Sequence, residues 1–193
     1  GGSCAGKSSM SDMLSSRLPD FTIFNSGDIF RDEAKKLGVQ LSDFMKSADN
    51  ATEELLNLDK AVDCRSIRQL IESDDNLLIT SRLGPIWGII LDLVNKPYIS
   101  IYLVVAKDEE IRRFIKREFK KTPSDLTQSE KKLIDTELKR DSNDQSRYKM
   151  LYGSTPSDFI SYTTLIDTTD LNIKQVEEKV RSLVDDFLIS QSE

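Results

Sequence analysis

The first nine residues, Gly1-Gly2-Ser3-Cys4-Ala5-Gly6-Lys7-Ser8-Ser9, carry the most specific chemical signal in the chain. Gly1, four intervening residues, Gly6, Lys7 and Ser8 fill every fixed position of the phosphate-binding loop pattern. The residue types follow from the task. Glycines let the backbone wrap around oxygen atoms and turn successive N–H groups toward them. A helix starting near Lys7 adds its dipole and the N–H groups of its first turn. Lys7 would reach the β and γ phosphates of a nucleotide held by residues 2–9, and the Ser8 hydroxyl would ligate magnesium.

Further polar candidates fall where short apolar runs end. Ser26 and Asp28 follow Phe21-Thr22-Ile23-Phe24, Ser81 and Arg82 follow Leu77-Leu78-Ile79, and Asp167 and Thr168 follow the run from Thr163 to Ile166. If these runs are parallel strands, all six residues collect at one edge of a sheet, where open α/β folds bind ligands. Two phosphate-bearing ligands need more positive charge than Lys7 supplies. Arg31, Arg82, Arg117, Arg140 and Arg147 could provide it.

Regular elements have to hold these groups in place. Met10, Met13, Leu14 and Leu18 recur at helical spacing behind the loop. A loop of this kind follows a buried strand, which is expected upstream of Gly1. After the strand at 21–24, Asp28 is expected to cap a helix from Ile29 to about Leu37, stopping near Gly38. Ser42 opens another helical stretch. Residues 51–73 read as helix with a break near Leu58-Asp59, and Gly84-Pro85 reads as a turn before a packed helix from Ile86 to Val94. Trp87 is expected in the core. Tyr98 to Val105 is the strongest strand pattern. A basic helix containing Arg112, Arg113, Lys116, Arg117, Lys120 and Lys121 follows, its run read as either a solvated face or a working one. Residues 122–152 read as helices, a long polar helical hairpin closed by Gly153 that resembles a mobile cover. The last helix starts at Asn172 and repeats Val176, Val180, Leu183, Val184 and Phe187. Alternating strands and helices imply a parallel three-layer α/β arrangement with the phosphate loop after its first strand.

Composition narrows the function classes. The 193 residues suffice for one α/β domain. Charged residues make up 31% and the formal net charge is −6, which argues against broad binding to nucleic acid or anionic membranes. No apolar run has the length of a bilayer span, and the start lacks the pattern of a secretory signal, so a cytoplasmic location is the default. Two cysteines are too few for a disulfide framework. Cys4 reads as a small loop-filling side chain and Cys64 as a buried one. With no histidine, the chemistry has to run on lysine, arginine, carboxylates, hydroxyls and backbone. That inventory suits phosphoryl transfer.

From Gly1 to about Thr168 the chain resembles the cytidylate kinase family, in the compact archaeal-type form of the nucleoside monophosphate kinases. Ser26-Gly27-Asp28-Ile29-Phe30-Arg31 is similar to that family's Ser-x-Gly-Asp-Ile-Phe-Arg signature, one residue shorter. Leu58-Asp59-Lys60-Ala61-Val62-Asp63 resembles the segment that closes over the nucleobase. Ser81-Arg82-Leu83-Gly84, Arg147-Tyr148, Tyr152-Gly153, Tyr162 and Ile166-Asp167-Thr168 resemble its later landmarks. The resemblance implies a P-loop NTPase three-layer sandwich over residues 1–193 with a five-stranded parallel sheet. It also implies a helical acceptor-binding segment at 28–73 and a lid-like segment at 112–152.

The same resemblance implies an enzyme that moves the γ-phosphoryl of ATP to CMP or dCMP as a monomer, with Mg2+. Gly2, Ser3, Cys4, Ala5, Gly6, Lys7, Ser8 and Ser9 would hold ATP. Ser8, with Asp28, would face the metal. Arg31 and Arg82 would hold the acceptor phosphate, and Ser26, Asp28, Asp59 and Asp167 would lie around the acceptor. Lys7, Arg117, Arg140 and Arg147 would clamp the transferring group. Three positions depart from the family pattern: Thr80 where an acidic residue is usual, Cys4 where glycine is common, and Thr164 where aspartate is frequent. Thr80 leaves room for a nucleotide-binding scaffold with reduced or lost turnover. Acceptor choice leaves room for AMP, UMP or a metabolite.

Overall fold

The computed structural model describes residues 1, 3–36, 38, 53–81, 83–155 and 164–191, with the side chains of Pro85, Glu137, Arg140 and Asp141 left out. Gly2, Arg82, Tyr162 and the stretch opened by Ser42 therefore lie outside the described residues.

Helix α1 (Lys7–Arg17) follows the glycine-rich loop and buries Met10 and Leu14, one turn apart on one face. Strand β1 (Thr22–Asn25) leads into α2 (Ser26–Lys36). This helix starts three residues earlier than its sequence suggests. The Asn25 carboxamide oxygen accepts from the Gly27 N–H at 3.0 Å, so Asn25 takes the capping role expected of Asp28. Asp28 sits in the first turn, where its charge complements the helix dipole.

Helix α3 (Glu53–Glu72) runs without the expected break at Leu58-Asp59. Leu55, Leu58, Val62, Ser66 and Leu70 form one continuous buried face, so tertiary packing sustains the helix through that point. Leu58 is fully buried, worth on the order of 2 kcal/mol in transfer free energy. Cys64, two residues round from Val62, points outward and is exposed, contrary to expectation.

Strand β2 (Leu77–Thr80) precedes α4 (Gly84–Leu93), which begins at the dipeptide read as a turn. Proline is compatible with a first helical turn because no N–H is needed there. Trp87 is 3% exposed, as expected of a core residue. Strand β3 (Ile101–Val104) is shorter than its β-rich sequence suggests. Tyr98 is drawn off instead: its ring lies against Gly88, where a Cβ would approach within 2.9 Å, and its hydroxyl donates to Asp92 at 3.1 Å.

Helix α5 (Lys107–Phe119) follows, and then one unbroken helix α6 (Gln128–Tyr152) in place of the expected hairpin, since no glycine or proline interrupts residues 128–152. A Thr127–Glu130 capping box opens α6, and Gly153, at φ 70°, closes it in the left-handed conformation glycine tolerates. Strand β4 (Thr164–Asp167) and α7 (Ile173–Ser190) end the described chain, with Asn172 and Gln175 forming a second capping box.

The strands form two parallel pairs among the described residues, not the single five-stranded sheet expected. In one pair Thr22 to Asn25 lie opposite Leu77 to Thr80, and in the other Ile101 to Val104 lie opposite Thr164 to Asp167. Both members of each pair therefore end level. Side-chain alternation shows the layering. Leu77 and Ile79 pack on a cluster with Phe24, Ile29, Leu58, Val62 and Trp87, while Leu78 joins a second cluster with Met10, Leu14, Leu103, Ile166 and Val180. β2 thus carries helices on both faces, the three-layer packing of an α/β domain.

Candidate functional site

The glycine-rich loop is held against the end of the second strand pair. A Cβ on Gly1 would meet the Leu103 carbonyl oxygen at 2.3 Å, so only glycine permits this approach of the loop to β3. Gly6 (φ 99°) and Cys4 (φ 49°) are left-handed, and Cys4 holds that conformation at a cost of about 1–2 kcal/mol for a non-glycine residue. Ser3 and Ala5 are buried, while Ser8 and Ser9 lie exposed on the first turn of α1. The first i→i−4 bond of α1 is Met10 N–H to the Gly6 carbonyl at 3.1 Å, which sets the start of the helix directly behind the loop.

One member of the basic run on α5 sits at this junction. Arg113 on α5 donates to the Thr168 hydroxyl (2.9 Å), to the Cys4 carbonyl (3.4 Å), and to the carbonyls of Thr168 and of Thr169 (3.4 Å). Nothing in the spacing of the basic run sets it apart from its exposed neighbours Arg112 and Lys116. Asp167 closes β4 and accepts from the Thr169 N–H and hydroxyl. These bonds, with Arg113 nearby, hold its carboxyl below the usual carboxylate range.

At the other strand pair, the Ser26 hydroxyl donates to the Thr80 carbonyl at 3.2 Å, joining the ends of β1 and β2. Asp28 and Arg31 form an exposed ion pair with each other on α2. Arg117 is exposed, bonds Glu118 at 2.6 Å and stacks over Phe114. Arg82 and the Arg140 side chain are not among the described groups.

Asp59 and Arg147 are brought together directly. The Arg147 Nε donates to Asp59 at 2.9 Å and its Nη2 to Asp144 at 2.6 Å. One turn along, the Tyr152 hydroxyl donates to Asp63. Asp63, Asp144 and Tyr152 thus join the cluster around Asp59 and Arg147, the two of its members expected as site residues. The signal was present in the three-residue step from Asp144 to Arg147. Burial raises the Asp59 pKa, and the Arg147 charge opposes it. Burial pushes the Asp63 carboxyl up to about 7; the Tyr152 hydrogen bond works against that shift and the Asp59 charge adds to it. Burial and the Asp63 carboxyl also raise the Tyr152 phenol.

These shifts give a pH-dependent stability. The folded Asp63 pKa exceeds its unfolded value, so its contribution is complete below the unfolded pKa and is lost as pH rises through about 7. Asp63→Asn keeps an acceptor for Tyr152 and removes the ionisation. Urea unfolding of both proteins should show the variant gaining on the parent by on the order of 3 kcal/mol between pH 5 and pH 8. Parallel curves would rule the shift out.

Magnesium that bridges nucleotide phosphates takes hard oxygen donors and keeps several waters. Two hydroxyls fit this role. Ser8 lies exposed on the first turn of α1, and the Thr80 hydroxyl at the end of β2 is buried without a hydrogen-bond partner among the described residues. Asp28, also expected to face the metal, lies exposed and paired with Arg31. Among the described residues no group of three or more cysteine or acidic residues could hold a metal unaided. The donor set therefore suits an ion brought by phosphates.

Among the described residues no helix is long and apolar enough to cross a membrane. A family model described as AAA domain matches residues 1–133. The chain is similar to a protein named cytidylate kinase from Thermoplasma volcanium, 26% identical over 183 residues, covering 95% of this chain and 87% of that protein. A cytidylate kinase from Methanocaldococcus jannaschii is 28% identical over 162 residues, covering 84% and 82% of the two chains. A third, from Sulfurisphaera tokodaii, is 26% identical over 188 residues, covering 97% and 93%. The chain belongs to the AAA domain family, and along nearly its whole length it is cytidylate kinase-like.

Proposed function

We propose that this protein is an ATP-dependent nucleoside monophosphate kinase that moves the γ-phosphoryl of ATP to CMP or dCMP, giving ADP and the corresponding diphosphate. The observation that carries the reading is the phosphate loop fastened at the carboxyl ends of β3 and β4 and leading into α1. The likeness to cytidylate kinases supports the choice of acceptor.

An oxygen of the acceptor phosphate attacks the γ-phosphorus, and the bond from that phosphorus to the β–γ bridging oxygen breaks in line. No general base is required, because the attacking oxygen is already ionised. Catalysis is positioning and charge stabilisation. Residues 2–9 cradle the ATP phosphates and Lys7 meets the charge on the transferring group. Magnesium, when bound, would offset phosphate charge, with Ser8 as its protein ligand and Thr80 facing its waters. Arg31 and Arg82 take the acceptor phosphate, with Ser26, Asp28, Asp59 and Asp167 around the acceptor and Arg117, Arg140 and Arg147 on the lid side. Residues 28–73 form the acceptor segment and 112–152 the lid.

In the same reading a strand preceding Gly1 joins the two pairs into one five-stranded sheet. Gly1 packs on Leu103 of β3, and Leu78 of β2 shares a cluster with Leu103. Both nucleotide sites come from one chain, so the working unit is a monomer.

Acceptor preference is tested by supplying MgATP with CMP, dCMP, UMP or AMP. CMP should exceed AMP and UMP in kcat/KM by at least about tenfold, because a site built around one set of hydrogen bonds leaves buried groups unpaired with the other. Equal rates with AMP and CMP would remove the cytidine assignment. ATP binding with no product from any acceptor would favour a nucleotide-binding scaffold, the reading that Thr80 supports.

A further inference from the structure

Arg113 spends all its donors inside the protein. An arginine offers five N–H groups and accepts nothing. Nε donates to Glu109 at 2.8 Å, Nη1 to the Thr168 hydroxyl at 2.9 Å and the Cys4 carbonyl at 3.4 Å, and Nη2 to the carbonyls of Thr168 and Thr169. Five contacts match five N–H groups, which leaves none for a phosphate. Arg117, one turn further along α5, is by contrast exposed at the surface.

We propose that Arg113 is a positioning residue for the phosphate loop: it ties the Cys4 carbonyl to the turn between β4 and α7 and so fixes the loop backbone, with its N–H groups spent inside the protein.

Three observations support this role. Cys4 is left-handed at φ 49°, a conformation that a side-chain-bearing residue keeps when its surroundings enforce it, and Arg113 bonds the carbonyl of that same residue. A loop that turns N–H groups toward an anion turns carbonyls outward, and an outward carbonyl is what a guanidinium can grip. The far anchor is firm as well. Thr168 is fully buried, and its N–H and hydroxyl both donate to the Val104 carbonyl at 2.9 Å. Glu109 bonds Arg112 and Arg113, and these contacts hold its carboxyl down to about 2, so the Nε anchor stays charged at neutral pH. Lysine could not replace this fork, because a single ammonium cannot span two backbone segments and a carboxylate together.

The proposal rests on the kinase reading only for its kinetic part. The test compares Arg113→Lys with the full-length parent and with Arg112→Lys, whose residue pairs only with Glu109 among the described residues. In the nucleotide-free proteins, hydrogen exchange at the amides of residues 3–6 should be about tenfold faster in Arg113→Lys and unchanged in Arg112→Lys. The KM for ATP should rise about tenfold in Arg113→Lys, with kcat and the KM for CMP within twofold of the parent. Parent-like exchange in Arg113→Lys overturns the proposal, as does a KM rise shared equally by ATP and CMP, which would mark a general loosening. A parent protein without turnover would count against the kinase reading alone, and the exchange result would still decide the role of Arg113.

Discussion

Lys7→Ala is expected to lower kcat/KM for ATP by about 10²–10³-fold while leaving the fold intact, the scale on which a single preorganised donor stabilises a developing anion. Lys7 is the first residue of α1, and that helix is held by Met10 and Leu14 against β2 and α7. Alanine is compatible with the first turn of a helix, so the substitution removes charge and leaves the packing. Lys7→Arg should not restore activity, since a planar fork does not occupy the place of a compact ammonium. Steady-state kinetics with a thermal unfolding curve of each variant checks both halves. A loss under tenfold with a normal melting curve would place the triphosphate elsewhere.

Arg147→Ala should cost about 3–5 kcal/mol of stability, because it leaves two buried carboxylates without their cation. The Arg147 side chain is 15% exposed, and those of Asp59 and Asp144 are 7% and 9%. The sign of the pH effect follows from Asp59. Burial already raises its pKa, and losing Arg147 raises it further, so the added penalty is incurred as pH rises through the folded value. The gap between variant and parent should therefore narrow when unfolding is measured at pH 5 instead of pH 8. Adding Asp59→Asn to Arg147→Met should recover part of the loss, since the pair then goes out together. A pH-independent gap under 1 kcal/mol would mean that the carboxylates find other partners.

What could be read in the sequence was what local rules decide. The loop pattern, the Met10–Leu14 face of α1, the Asn172 start of α7, the Gly153 stop and the buried Trp87 depend on residues close in the chain. Misjudged features were those settled by contacts from elsewhere. The continuity of α3 depends on a buried face that also packs on α2 and α6, and the late start of β3 depends on Tyr98 turning to Gly88. Asn25 displaced Asp28 as the cap because the chain turns directly from β1 into α2. In the site, the position of Asp59 opposite Arg147 spans 88 residues and the reach of Arg113 to Cys4 spans 109. Spacing along the chain carries no trace of such pairs. The family likeness pointed to Asp59 and Arg147 as separate site residues, and the structure shows that they hold each other.

The most direct test follows the phosphorus atoms themselves. The full-length protein is mixed with MgATP and CMP and the mixture is observed by phosphorus NMR. The expected result is one-for-one loss of ATP and CMP with gain of ADP and CDP, abolished by Lys7→Ala. Release of inorganic phosphate with CMP untouched, or bound ATP that never changes, would contradict a site in which two nucleotides exchange a phosphoryl group.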